Sequence, residues 1–205
     1  EKQGISFVIC SIDDDKFRHL HWRLERICHT TYEIIRIDDA RGLSEGYTRG
    51  LSQARHQTLV FCHDYIDFLC GDAFAELLEQ GLRQFDVIGV AGPRKLHSAF
   101  WPNGGPANLA GLVIHGPVGK PAEQFSINYY DTGPDRHIAV EALDGVFIAG
   151  HRQVFEQVGF DSSTFDGFHL YDIDFTYRCH LAGFRLGVCK DLLLVHSSPG
   201  NFGSN

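Results

Sequence analysis

The apolar positions of the first ninety or so residues alternate between two rhythms. "ISFVICSI" (5–12) is a continuous apolar run, the pattern of a parallel strand covered on both faces. After it, Phe17, Leu20, Leu24 and Ile27 recur at spacings of three and four, behind three opening acids. That is an amphipathic helix with its acids at the positive end of the helix dipole. "YEIIRI" (32–37) predicts a second strand, and Leu43, Tyr47, Leu51 and Ala54 mark a second helix. "TLVFC" (58–62) is a third strand, "AFAELLEQGL" a helix, and "DVIGVAG" (86–92) a fourth strand. The βαβαβαβ order implies right-handed crossovers and a mostly parallel sheet with helices on both faces.

The pattern then changes. Residues 93–111, "PRKLHSAFWPNGGPANLAG", are rich in Pro, Gly and Asn and read as a long loop. "LVIH", "FSINYY" and "HIAVEALDGVFIAG" predict antiparallel strands. A short helix near "RQVFEQV", a helix running to Gly183 and two closing strands, "RLGVC" and "LLLVH", complete the chain. With no internal repeat and no linker, residues 1–205 read as one α/β domain.

Composition narrows the function classes. The 205 residues are 43% hydrophobic and 21% charged, enough for a sizeable core. A net charge of −8 without a basic stripe argues against nucleic acid as a partner. Cys10, Cys62 and Cys189 lie in apolar runs, and no CxxC or Cys/His zinc spacing occurs, so the thiols are expected to be free core residues. No apolar run reaches membrane-spanning length and no signal-peptide pattern is present, so the expected location is cytoplasmic. The chain has no Met and enters its first strand within a few residues, which reads as a domain excised from a longer protein.

Ligands of open parallel sheets bind beyond the carboxyl ends of the strands. Ser11-Ile12-Asp13 follows the first strand, Asp38-Asp39 the second, and His63-Asp64 the third. Acids thus follow three successive strands on one rim. Helix capping is an equal account of Asp13, and a weaker one of the other pairs. No GxGxxG and no P-loop occurs. A carboxylate-lined site meant for phosphates needs a divalent cation to bridge the two.

The order of "ISFVICSI", "IIRIDDARG", "GYTRGLSQARHQTLVFCHD", "LDGVFIAGHRQVFEQVGFD", "GFHLYDIDFTYRCHLAGFRLGV" and "LLLVHSSPG" resembles the GT-A glycosyltransferases. It is most similar to the family 2-like bacterial branch with an HxD-type stretch. The resemblance covers nearly the whole chain and is weakest over 93–137. It implies a GT-A fold with a nucleotide-binding half (about 1–100) and an acceptor-binding half (about 101–205). It also implies metal-assisted, inverting transfer of a sugar from a nucleoside-diphosphate sugar, UDP by family analogy, with Mn2+ or Mg2+. The acceptor is a saccharide, lipid or protein hydroxyl.

Site roles follow from the same resemblance. Asp38 and Asp39 match the acid pair that holds base and ribose, with Ser11, Gly50, His63 and Asp64 also on the nucleotide side. Thr48 replaces the Asn of the family's N-x-G stretch, and Tyr65 replaces an acid of the metal motif, leaving Asp64 and His196 as metal ligands. Asp172 in "YDID" matches the catalytic base. Asp144, Gly145, His169, Tyr171 and Trp101 are placed on the acceptor side, with Phe168, His169 and Tyr171 as a wall for a sugar face; Trp101 either stacks on a sugar or base or anchors its loop, and residues 101–108 read as a lid. Asp174, two residues past the base, reads as structural and paired with Arg178. Two alternatives remain: a GT-A module that has lost catalysis and only binds sugar or a partner, favoured by Tyr65 and Thr48, and a metal-dependent phosphoester hydrolase, suggested by the His and Asp content.

Overall fold

The computed structural model describes residues 4–117, 125–131 and 133–197 of the chain. Its first half follows the predicted alternation. Strand β1 (Ile5–Cys10) leads to α1 (Asp14–Ile27), β2 (Tyr32–Ile37) to α2 (Leu43–Gln53), and β3 (Thr58–Cys62), through a short β4 (Ile66–Phe68), to α3 (Phe74–Gln84). β1 pairs in parallel with β2 on one side and β3 on the other. Both of its faces are covered. Phe7 and Ile9 join the core beneath α1 and α3, whereas Val8 joins the core beneath α2. This explains why the strand is apolar at every position rather than at alternate ones.

The second half supplies β5 (Val87–Gly89), β6 (Ala91–Pro93), β7 (Leu109–His115), β8 (Ser126–Tyr129), β9 (His137–Val140), β10 (Phe147–His151), α4 (Arg152–Val158), α5 (Tyr171–Leu181), β11 (Leu186–Cys189) and β12 (Leu194–His196). The main sheet is seven-stranded in the order β2-β1-β3-β10-β5-β11-β9, and a second sheet runs β4-β12-β7-β6 with β8 beside β7. β10 lies antiparallel between β3 and β5.

Three expectations change in detail. The single strand expected over 86–92 is two strands in different sheets, because the chain turns at Val90 to bring β6 against β7. Gly92 packs against the Ala142 carbonyl, where a Cβ would collide, so this turn depends on small residues. "HIAVEALDGVFIAG" breaks into β9 and β10 around residues 141–146, a break that the site uses. β4, three residues long, was too short to stand out in the pattern. All six cysteines are free, as expected. No helix among the described residues is long and apolar enough to cross a membrane. Residues 198–200, part of the last motif, lie outside the described residues.

Candidate functional site

The strand ends converge as the sequence suggests. Ser11, one residue past β1, donates its hydroxyl to Asp64 Oδ2 at 2.6 Å, and both residues are buried. Asp13 is the N-cap of α1, its Oδ1 accepting from the N–H groups of Asp15 and Lys16, so capping accounts for it. Asp38 and Asp39 are exposed past β2. Asp39 is held by Arg49 at 2.8 Å, and Arg49 also grips Glu45. Gly50 is placed elsewhere than on the rim: it lies under α2, where a Cβ would collide with Val8 of β1. The close helix–strand approach accounts for that glycine, and Thr48 returns its hydroxyl to the Ser44 carbonyl within the same helix.

His63, at the end of β3, stands between two partners. Its Nδ1 is 3.3 Å from His196 Nε2, and its Nε2 is 3.1 Å from the Tyr171 hydroxyl. Tyr65 packs against both imidazoles, at ring-centroid distances of 5.0 and 4.9 Å, with the Lys16 ammonium 5.2 Å from its own ring. His115 completes the cluster, 5.5 Å from His196, because the β7–β12 pairing places the two residues side by side. Burial lowers His63 to about 4, and burial together with its His63 and His115 neighbours lowers His196 to about 3. Both rings are neutral at physiological pH. His115 went unnoticed in the sequence, although "LVIH" ends in His just as "LLLVH" does.

The break between β9 and β10 brings the acceptor-side residues together. The Gly145 N–H donates to Asp172 Oδ2 at 2.7 Å, and the Tyr171 hydroxyl donates to the Gly145 carbonyl at 3.0 Å. A side chain at Gly145 would collide with the Tyr171 hydroxyl and the Asp172 Cβ, so only glycine lets both groups close on this one residue. Asp144 Oδ1 accepts the Val146 N–H, and the carboxylate also takes a hydrogen bond from Trp101. Burial raises the Asp144 pKa. Burial, then the neighbouring Asp144 charge, pushes Asp172 up to about 7 from the ordinary 3.8. Asp172 therefore exchanges its proton near neutrality, which suits a general base.

Tyr171 takes another place than the acceptor wall expected of it, and Trp101 takes the loop-anchoring one of its two expected roles. Tyr171 is only 3% exposed, its ring edge-on to Tyr47 and its hydroxyl already bonded, so it is a core residue that reaches the site through that hydroxyl alone. Trp101 is 7% exposed, packed edge-on against Tyr130 and tied to Asp144, so it anchors its loop. His169 is exposed, next to Phe168 at 56% and Leu170 at 44% exposure. Leu170 has φ 65°, a left-handed conformation that costs a leucine about 1–2 kcal/mol. Asp174 pairs with Arg178 as expected, and Arg178 also donates to the carbonyls of Val158 and Gly159 at the end of α4. On the outer side of α5 lies an open cleft of about 290 Å³, lined among others by Leu96, Phe165, Leu170, Ile173, Tyr177 and the Asp174–Arg178 pair.

Among the described residues no three His, Cys, Asp or Glu side chains form a metal cage. Asp64 and His196 supply one carboxylate and one imidazole. That donor set fits a Mg2+ or Mn2+ ion that takes its remaining oxygens from a bound diphosphate, since Mg2+ in particular is commonly held by one or two carboxylates plus substrate phosphates.

Comparison with solved structures shows the same architecture at low identity. GalNAc-T7 with UDP, GalNAc and Mn2+ aligns over 97% of this chain and 44% of its own, with TM-score 0.58 and 10% identity. The mannosyltransferase PcManGT from Pyrobaculum calidifontis, in complex with GDP-Man and Mn2+, aligns over 98% and 59%, with TM-score 0.61 and 9% identity. S. aureus TarS 1-349 with UDP-GlcNAc aligns over 97% and 59%, with TM-score 0.57 and 10% identity. The chain thus spans roughly half the length of these proteins, and its fold is GT-A. No curated protein matches the sequence. The model of a glycosyltransferase-like family matches residues 6–196, nearly the whole described chain, and the protein belongs to that family.

Proposed function

We propose that the domain transfers a sugar from a nucleoside-diphosphate sugar to an acceptor hydroxyl, with inversion at the anomeric carbon. The observation that carries this reading is the corner at Gly145. There a carboxylate with a pKa near 7 is held by a backbone N–H in the first turn of α5. The carbonyl of the same residue, Gly145, is linked through the Tyr171 hydroxyl to His63 at the end of β3. Base and donor-side strand ends are thereby fixed to one another, as a single displacement across a pocket requires.

Asp172 removes the acceptor hydroxyl proton as that oxygen attacks the anomeric carbon, from the face opposite the leaving diphosphate. Asp38 and Asp39, exposed on the nucleotide rim, accept hydrogen bonds from the base and ribose, as carboxylates do. A divalent ion held by Asp64 and His196 would offset the charge of the diphosphate. Uridine is the favoured base, since two of the three neighbours described above carry UDP or a UDP-sugar and one carries GDP-Man. The acceptor hydroxyl approaches Asp172 at the Gly145 corner; the cleft on the outer side of α5, lined by the Asp174–Arg178 pair, belongs to the other face of that helix.

Thermal-shift measurements with UDP, GDP and ADP, each with and without Mn2+, test the donor assignment, because a ligand of the native state raises the midpoint. A metal-dependent shift with one nucleoside diphosphate is expected. No shift with any of them would overturn it. A shift without any sugar transfer would favour the second reading, a binding module, which the neutral Tyr65 phenol in the metal motif supports.

A further inference from the structure

The hydrogen bonds around His63 determine where its protons lie. Starting at Gly145, the carbonyl oxygen can only accept, and the Tyr171 hydroxyl 3.0 Å away has a single proton to give. That proton is therefore committed to Gly145, and Tyr171 must accept in its 3.1 Å contact with His63. His63 Nε2 consequently carries a hydrogen. In a neutral imidazole the other nitrogen is then a bare acceptor. At pH 7 and above, past the ordinary imidazole range, His63 is neutral. Its Nδ1, 3.3 Å from His196 Nε2, must accept, so His196 Nε2 is the donor. His196 is neutral in the same pH range, which leaves its lone pair on Nδ1. Among the described residues Nδ1 has no hydrogen-bonding partner. Turning the His63 ring over would put carbons at both contacts and lose both bonds, so the chain of donors also fixes the ring orientation.

We infer that Tyr171 is a positioning residue whose hydroxyl, through His63, sets the tautomer of His196 and leaves Nδ1 as the atom that meets a cation or a ligand's donor group. The same hydroxyl holds the carbonyl of Gly145, the residue whose N–H holds Asp172. One phenol proton thus orders the lone pair on the donor side and the carboxylate on the acceptor side. The tautomer assignment stands on the hydrogen bonds and on both imidazoles being neutral. Its consequence for a cation rests on the glycosyltransferase reading.

The test is long-range proton–nitrogen correlation NMR on protein with isotope-labelled histidine, the two rings being assigned through His63→Asn and His196→Asn. In the native protein without ligand, both rings are expected to be neutral at pH 7 with hydrogen on Nε2. Hydrogen on Nδ1 of either ring would overturn the inference, whatever the variants do. Tyr171→Phe keeps the buried ring and removes only the hydroxyl. It is expected to convert His63 to a mixture of tautomers and to weaken Mg2+ binding in the presence of UDP by roughly 10–100-fold, the usual effect of losing an outer partner of a metal ligand. Unchanged tautomers in a folded Tyr171→Phe protein would also overturn it. Native tautomers as stated, without Mg2+ or UDP binding, would support the tautomer lock and count against the proposed function instead.

Discussion

Replacing Asp172 by Asn should make the protein inactive and, at alkaline pH, more stable. Asn retains an oxygen for the Gly145 N–H at 2.7 Å, so the corner keeps its geometry. What disappears is a carboxylate that the fold holds at about 7 instead of 3.8, chiefly through burial and then through Asp144. The sign follows from proton binding. Between the two values the folded state holds a proton that the unfolded state has released, so native stability falls as pH rises through this window. Below about 3.8 there is no penalty, and above about 7 it is complete. A shift of this size has a ceiling of about 4 kcal/mol. Partial exposure of the carboxylate and its coupling to Asp144 reduce the expected gain for Asp172→Asn to ~1–2 kcal/mol.

Urea unfolding of both proteins from pH 4.5 to 8.5 measures that difference, and it should grow with pH and level off above 7. In parallel, turnover should fall by roughly 10²–10⁴, the range for loss of a general base. The native kcat/KM should rise with pH on its acid limb as Asp172 ionises. A stability difference that stays flat across the pH range would refute the raised pKa. Near-native turnover in the folded variant would refute the role of base.

Other positions give sharper contrasts between packing and binding. Gly50→Ala should cost about 1–3 kcal/mol by driving α2 off Val8, and a folded variant with unchanged nucleotide affinity by calorimetry would confirm that the glycine serves packing alone. Asp38→Ala and Asp39→Ala should weaken UDP binding with little change in unfolding midpoint, since both side chains are exposed; unchanged dissociation constants in both would exclude them from the nucleoside site. Tyr65→Asp should tighten Mn2+ binding in the absence of nucleotide by adding a charged oxygen ligand, and calorimetric titration showing no change would leave Tyr65 as packing between His63 and His196. Leu170→Gly should relieve the left-handed strain, which the greater freedom of glycine in the unfolded chain largely offsets, so the midpoint should barely move while kcat falls as the entry to α5 loosens; unchanged kcat would show that the strain has no part in catalysis.

The alternation of strands and helices was legible because both faces of the sheet are buried and each helix has one apolar stripe. The positions of Ser11, His63 and Asp64 followed from the strand ends and that of Asp172 from a helix start, whereas Asp144, Gly145 and the role of Asp172 came from the resemblance. What the pattern could not give was which side of an element an aromatic serves. Tyr171 in "YDID" reads equally as a wall of the site or as core, and only the packing against Tyr47 decides. Trp101 presents the same ambiguity, settled by Tyr130 and Asp144, distant in sequence. His115 enters the site through a parallel pairing of β7 with β12, a register that no local pattern encodes. The cleft beside α5 joins residues 96–99 to 165–178, again across a long separation.

The corner that holds Asp172 breaks three local rules at once. A leucine adopts a conformation that normally needs glycine, a peptide approaches α5 too closely for any Cβ at Gly145, and a carboxylate is placed where burial and a second carboxylate oppose its ionisation. Each feature costs stability, and Leu170 is the one non-glycine with positive φ among the described residues. Costs concentrated in one place, within a domain otherwise consistent with its own sequence, are expected where function sets the geometry. Here they have a common effect. Leu170 sets the angle at which α5 begins, Gly145 lets the loop before β10 reach that first turn, and the resulting enclosure holds the Asp172 proton near neutrality. Relaxing any one of the three would ease the strain and return Asp172 toward an ordinary exposed acid, ionised at all physiological pH values but too weakly basic to drive proton removal from a hydroxyl.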